Sequence, residues 1–195
     1  MQDFLFYLKL GWEHIISLDA LDHQLFVLAL VAPYAFYDFK KVLLLVTAFT
    51  VGHSITLALS VLDVFRIPSD WVEFLIPLSI LVTAAENLFN KNHRNGWQLR
   101  LHYLLALLFG LIHGMGFANT ARMAIATKQD IAVPLLGFNV GLELGQIVVV
   151  VLILAVNYLL LAKLNFSRLY WTAIISIAVA LMALKMCVER FPLFS

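Results

Sequence analysis

The chain has 195 residues, of which 63% are apolar and 13% charged, and its mean hydropathy is +0.93. A soluble domain of this length cannot bury so much apolar surface in one core, so the composition indicates an integral membrane protein. The net charge of +1 gives no sign of a nucleic-acid partner, and none is expected. Cys187 is the only cysteine, which excludes an intrachain disulfide or thiolate cluster.

The predicted elements follow from where charged residues interrupt the apolar sequence. Residues 4–17 are too short and too polar to cross a bilayer, which takes about 20 apolar residues, and they predict an interfacial or partly inserted helix. Six longer runs are continuously apolar rather than alternating, and each fits a transmembrane helix: residues 21–37, 42–62, 71–89, 101–118, 131–162 and 169–188. The expected fold is an all-α polytopic membrane helix bundle, with residues 1–195 forming a single integral membrane domain.

The distribution of basic residues bears on orientation. Six crossings would place both termini on one side, and the short loops on the other side carry the denser basic residues. The positive-inside rule then favours both termini outside the cytoplasm. Residues 1–14 have an acid before the first base and no small-residue cleavage site, so we do not interpret them as a signal peptide.

Several ionisable residues lie inside the apolar runs. A charge at the bilayer centre costs on the order of 2.5–3.5 kcal/mol, so such residues are functional candidates by default. Depth counted from the charged loops places His53, His113 and Glu143 in the middle third of their runs, and Asp22 and His23 on the terminal side of theirs. Glycines flank these positions and allow helix backbones to approach closely. We therefore expect a polar cluster in the membrane half nearer the termini.

Divalent metal binding is the chemistry that suits this cluster. Imidazole and carboxylate ligands without thiolates favour borderline ions such as Ni²⁺, Co²⁺ and Zn²⁺. A lone buried histidine also serves as an interhelical hydrogen-bond donor, and this alternative stays open for His53 and His113. His14 and Asp19 either join the ligand set or belong to the solvated face of a surface helix.

Three further polar residues lie away from the cluster. Glu86 and Asn87 come late in the third run, near the opposite membrane surface, where they either line an exit path or join two helices. His102 is one turn from Arg100 and is expected at the membrane interface.

Five motifs together resemble the HupE/UreJ family of bacterial membrane proteins, which are nickel or cobalt permease-like accessory proteins of hydrogenase and urease systems. They are GWEHIISLDALDHQLFVLAL, LVTAFTVGHSITLALS, VEFLIPLSI, FGLIHGMGFA and GFNVGLELGQ, in this order. The resemblance matches His14, Asp22, His23, His53, His113, Glu143 and Gln146 to polar positions of the family's motifs. We predict metal ligands at His14, Asp22, His23, His53, His113 and Glu143, with Asp19, Ser54, Asn139 and Gln146 as a supporting polar shell. It also implies a bacterial inner membrane, which makes the side of the termini the periplasm.

Two functions from different classes fit these residues. The leading hypothesis is a Ni²⁺ or Co²⁺ permease that captures the ion from the terminal side and coordinates it in the membrane. The alternative is an intramembrane Zn²⁺-dependent hydrolase acting on a lipid or peptide, since histidines and carboxylates can also activate a metal-bound water. A metal sensor or helper stays open as well. The expected partners are membrane lipid and the metal ion, with a homo-oligomer or a metalloenzyme accessory partner as further alternatives.

Overall fold

The structure is a computed structural model that describes residues 2–17, 20–64, 67–89, 96–117 and 131–192. Seven α-helices cover most of these residues, and no strand occurs among them. The helices are α1 (Gln2–Ile16), α2 (Leu21–Val31), α3 (Phe39–Val61), α4 (Ser69–Phe89), α5 (Gly96–Gly116), α6 (Ala132–Tyr158) and α7 (Arg168–Glu189). A 3₁₀ turn at Phe36–Asp38 precedes α3, and a π-helical turn at Leu159–Lys163 extends α6. The all-α prediction is confirmed.

Within the described residues, five spans are long and apolar enough to cross a membrane, as expected of an integral membrane protein. They are Phe36–Val61, Ser69–Phe89, Leu99–Gly116, Ala132–Lys163 and Arg168–Glu189. The first predicted span differs, because α2 ends at Val31, shortly before Pro33, and has only 11 residues. At a rise of 1.5 Å per residue it is about 16 Å long, roughly half of the hydrocarbon core. Together with α1 it forms one candidate span, bent by 67°.

Two helix pairs meet through glycines that bring their backbones into contact. In the pair α3 and α5, a Cβ added to Gly52 would collide with the Leu107 carbonyl, and one added to Gly110 would collide with the Phe49 carbonyl. In the pair α1 and α6, a Cβ on Gly11 would collide with the carbonyl of Phe138. Contacts this close hold each pair at a fixed spacing.

The N-terminal helix α1 is integrated into the bundle along one face. Tyr7, Gly11 and Ile15 are buried on that face, whereas Lys9 and Glu13 are exposed and form an ion pair of 3.5 Å. The charged face accounts for the prediction of an interfacial helix, and the packing on α6 makes α1 part of the protein interior. Its last turn therefore reaches the buried residues of α2 and α3.

The end of the bundle at the α2–α3 connection is tied by polar contacts. The Asn157 side chain donates to the Tyr34 carbonyl at 3.0 Å and accepts from Trp171 at 2.8 Å. Arg168 donates to the Pro33 carbonyl and forms an ion pair of 3.7 Å with Asp38. These contacts satisfy backbone groups that the interrupted helix leaves without partners.

Candidate metal centre

Four histidines from four helices meet in one half of the bundle. His14 lies in the last turn of α1, His23 in the first turn of α2, His53 in the second half of α3 and His113 near the end of α5. The ends of α3 and α5 and the beginning of α6 lie on this side, opposite the α2–α3 connection. Helix direction and residue number therefore bring the four imidazoles to one depth.

One ring nitrogen from each of His14, His23 and His53 lies within 4.8 Å of the other two. Nitrogens bound to one Zn²⁺-like ion at about 2.1 Å can be at most about 4.2 Å apart, so closure on the order of 1 Å brings all three within ligand distance. His23 and His53 are buried, and His14 is half-buried. The three imidazoles are arranged as a metal-binding set.

His113 faces the same set as a fourth imidazole. Its ring centre is 5.0 Å from that of His23. The Phe109 carbonyl contacts Nδ1 at 2.8 Å, and because a carbonyl only accepts hydrogen bonds, Nδ1 carries the proton. The lone pair on Nε2 is then available for a ligand. A backbone carbonyl on the other ring nitrogen is the usual way in which proteins orient a metal-binding histidine.

Five buried ring nitrogens of the four histidines have no hydrogen-bond partner within the described residues. They are His14 Nε2, His23 Nε2, both nitrogens of His53, and His113 Nε2. Each unsatisfied buried polar group costs about 1–3 kcal/mol. A bound cation would satisfy several of these nitrogens at once, because each offers a lone pair in its neutral form.

Aromatic side chains enclose the cluster. Phe117 lies 4.3 Å from the His14 ring, centre to centre, and Phe138 stacks on His53 at 6.2 Å with an interplanar angle of 19°. Phe49 closes another side, 5.1 Å from His113. These apolar walls keep water away and strengthen the interaction of an ion with the imidazoles.

Asp22 is held by Arg190 and stands outside the set of three histidines. Its Oδ2 accepts a hydrogen bond from Arg190 Nη1 at 2.9 Å, which links α2 to the end of α7. Its Oδ1 is buried and makes no hydrogen bond in the described part of the chain. The carboxylate still acts electrostatically on His113. The structure thus places Asp22 beside the cluster, with one of its two oxygens bound to Arg190.

Glu143 and Gln146 lie along the contact between α3 and α6. Glu143 Oε1 accepts from Thr47 Oγ1 at 2.6 Å, and Gln146 Oε1 accepts from Thr50 Oγ1 at 2.9 Å. Glu143 Oε2 is buried and has no partner among the described residues. Sequence reasoning missed the threonines, because a hydroxyl in an apolar helix gives no sign of its partner.

The rest of the predicted polar shell divides into three cases. Asn139 lies beside His53 but beyond the limits of a well-formed hydrogen bond. Ser54 donates to the Thr50 carbonyl of its own helix at 2.7 Å and does not face the histidines through that contact. Asp19 lies outside the described residues.

The Asp22–Arg190 pair yields a testable expectation. Replacing Arg190 with glutamine removes a positive charge beside the cluster and releases the Asp22 carboxylate, so Co²⁺ affinity should rise. A partly exposed ion pair contributes on the order of 1 kcal/mol, which corresponds to about fivefold. Calorimetric titration measures the change. Lys185→Gln is the control, because Lys185 lies on the same helix and its ion pair with Glu189 is exposed. Unchanged affinity in Arg190→Gln would show that the pair does not influence the cluster.

The fold and the cluster together show which class of protein this is. It is a polytopic helical membrane protein in which imidazoles from four helices lie at one depth. The family described as HupE / UreJ protein matches residues 1–190, so the chain belongs to this family and the resemblance found in the sequence is confirmed. Comparison with curated proteins and with solved structures finds no match.

Proposed function

We propose that the protein is a permease for divalent transition-metal ions, Ni²⁺ or Co²⁺, which it binds transiently within the membrane. The observation that carries the proposal is the set of His14, His23 and His53, in which one ring nitrogen of each lies within 4.8 Å of the other two. Each of the three also has a buried ring nitrogen without a hydrogen-bond partner in the described structure. Membership of a family associated with nickel and cobalt transport supports the same conclusion.

The charge of the ligand set suits transport rather than permanent retention. Neutral imidazoles bind borderline divalent ions but leave the ion's charge uncompensated. Of the nearby carboxylates, Asp22 is paired with Arg190 and Glu143 accepts a hydrogen bond from Thr47. An ion held mainly by neutral ligands binds less tightly than one held by carboxylates or thiolates and can therefore leave.

In this proposal the metal ion reaches the histidine cluster from the side of the membrane on which the termini lie. Asp22 and Arg190 lie at that end of α2 and α7, next to the cluster. An anionic oxygen beside the imidazoles attracts a cation toward them. We place this side in the periplasm, so that the ion moves inward from the histidines toward the α2–α3 connection.

Uptake by proteoliposomes tests the proposal. Vesicles that contain a metal-quenched dye should report saturable Ni²⁺ uptake with the unaltered protein and only background uptake with His23→Ala. The matched control is Glu13→Gln, because Glu13 is exposed on α1 next to His14. Equal uptake by the unaltered protein and His23→Ala would refute the permease. Zn²⁺ that stays bound through prolonged dialysis, together with no Ni²⁺ uptake, would instead support the hydrolase.

A further inference from the structure

A second polar site lies in the other half of the bundle. A small cavity there is lined by Thr83, Glu86, Asn87 and His102 and by apolar residues that include Phe109, and most of its wall is apolar. His102 and His113 are eleven residues apart on α5, a separation of about 16 Å along the helix. The cavity is therefore on the far side of the bundle from the four histidines.

His102 is buried between Glu86 and Tyr34. Its Nε2 lies 2.9 Å from Glu86 Oε2, and its Nδ1 lies 2.9 Å from the Tyr34 hydroxyl. The side chains of His102 and Glu86 are 6% and 14% exposed, so both lie inside the bundle. The three residues come from α5, α4 and the segment after α2, so they join three separate parts of the chain.

The His102–Glu86 pair has the geometry of two adjacent ligands. Two ligand atoms at about 2.1 Å from one ion, in perpendicular directions, are about 3.0 Å apart, close to the observed separation of Nε2 and Oε2. A carboxylate only accepts hydrogen bonds, so in the metal-free state His102 Nε2 carries the proton of this contact. A divalent ion bound by both atoms would displace that proton and lie to one side of the line that joins them.

Tyr34 orients the imidazole for this role. Burial raises the pKa of the Tyr34 hydroxyl above its ordinary value, so the group stays a neutral phenol. When a metal occupies Nε2, the Nδ1 proton donates to the phenol oxygen, which is the outer contact that metal-binding histidines generally make. The metal would take the place of the Nε2 proton, which would move to Nδ1, so the Tyr34 contact is kept with its donor and acceptor exchanged.

Two phenylalanines separate this pair from the histidine cluster. The Phe109 carbonyl binds His113, while the Phe109 side chain lines the far cavity. Phe26 lies 5.9 Å from the Phe109 ring and 5.5 Å from the His113 ring, centre to centre. Phe26 and Phe109 therefore form an apolar barrier between the two polar sites.

We propose that Glu86 and His102 form a second binding site for the divalent transition-metal ion, where the ion rests beyond the Phe26–Phe109 barrier before release. This site rests on the proposed permease function and adds the carboxylate that the first set of three histidines lacks. The negative charge of Glu86 draws the ion away from the neutral imidazoles, and when the ion leaves, return of the proton from Nδ1 to Nε2 restores the hydrogen bond of the metal-free state.

Equilibrium dialysis of the purified full chain against Co²⁺ tests the second site. The unaltered protein should bind two ions, and Glu86→Gln and His102→Gln should each bind one. His53→Ala should also bind one, held by the Glu86–His102 pair. Glu73→Gln is the matched control, because Glu73 is an exposed acid on the same helix as Glu86, and it should still bind two. Helical circular dichroism verifies that each variant is folded.

The alternative outcomes separate the two proposals. A single ion that is lost in His53→Ala and kept in Glu86→Gln would overturn the second site and leave the permease in place. No bound ion in the unaltered protein would contradict both. Loss of all binding in folded Glu86→Gln and His102→Gln would also overturn the second site, since the pair would then support the histidine cluster instead of its own ion.

Discussion

Replacing His53 with alanine is expected to lower the affinity for Ni²⁺ and Co²⁺ at the histidine cluster more than any other single change. His53 is fully buried, and neither of its ring nitrogens has a hydrogen-bond partner in the described structure. Removal of an outer-shell partner typically costs about 10- to 100-fold in metal affinity, so removal of a ligand should exceed that range. Isothermal titration calorimetry on the purified protein measures the loss, and the class of sites that Glu86→Gln leaves intact is the readout.

The neighbouring residue offers the control for this measurement. Ser54 donates its hydroxyl hydrogen bond to the Thr50 carbonyl of its own helix, so Ser54→Ala should retain the affinity of the unaltered protein. If both variants bind Co²⁺ as tightly as the unaltered chain, His53 is a structural residue of the α3 packing and the cluster is not the binding site.

Gly110→Ala is expected to destabilise the protein strongly and to weaken metal binding at the same time. A Cβ at this position would collide with the Phe49 carbonyl, so the backbones of α3 and α5 would have to separate. Overpacking typically costs about 1–3 kcal/mol, and a contact with rigid backbone belongs at the upper end. Because His53 and His113 lie on these two helices, the same displacement should move them apart. Thermal unfolding followed by circular dichroism, with and without Co²⁺, measures both effects.

Gly116→Ala on the same helix is the control, because it distinguishes a collision with backbone from the loss of a glycine as such. A Cβ there would meet Ile76 Cδ1 at 2.8 Å and Val72 Cγ1 at 3.8 Å, which are the ends of side chains that can move. Its melting temperature should stay close to that of the unaltered protein. Equal melting temperatures for both variants would mean that α3 and α5 do not depend on backbone contact.

Much of the fold could be predicted because the apolar runs are long. A bilayer needs about 20 apolar residues per helix, and the five spans from α3 to α7 meet that requirement in the sequence itself. The end of the first span was harder to predict, because the apolar sequence continues past Pro33 whereas the helix covers only Leu21–Val31. The packing of α1 depends on Gly11 meeting α6 across a distance of more than one hundred residues, which a single sequence does not reveal.

The same limit applies to the polar residues. Counting depth predicts that His23, His53 and His113 share a level, because helix rise converts residue number into distance. It does not predict that Asp22 is paired with Arg190, which is 168 positions away. Nor does nearness to Arg100 show that His102 turns inward to Glu86 and Tyr34, since position along a helix gives depth but not direction.

The glycine contacts have a mechanical consequence for any ion bound at the cluster. His14 belongs to the tight pair of α1 with α6, whereas His53 and His113 belong to the tight pair of α3 with α5. An ion coordinated by His14 and His53 therefore links these two helix pairs. A small sliding motion of one pair against the other breaks coordination long before it disturbs the backbone contacts inside either pair.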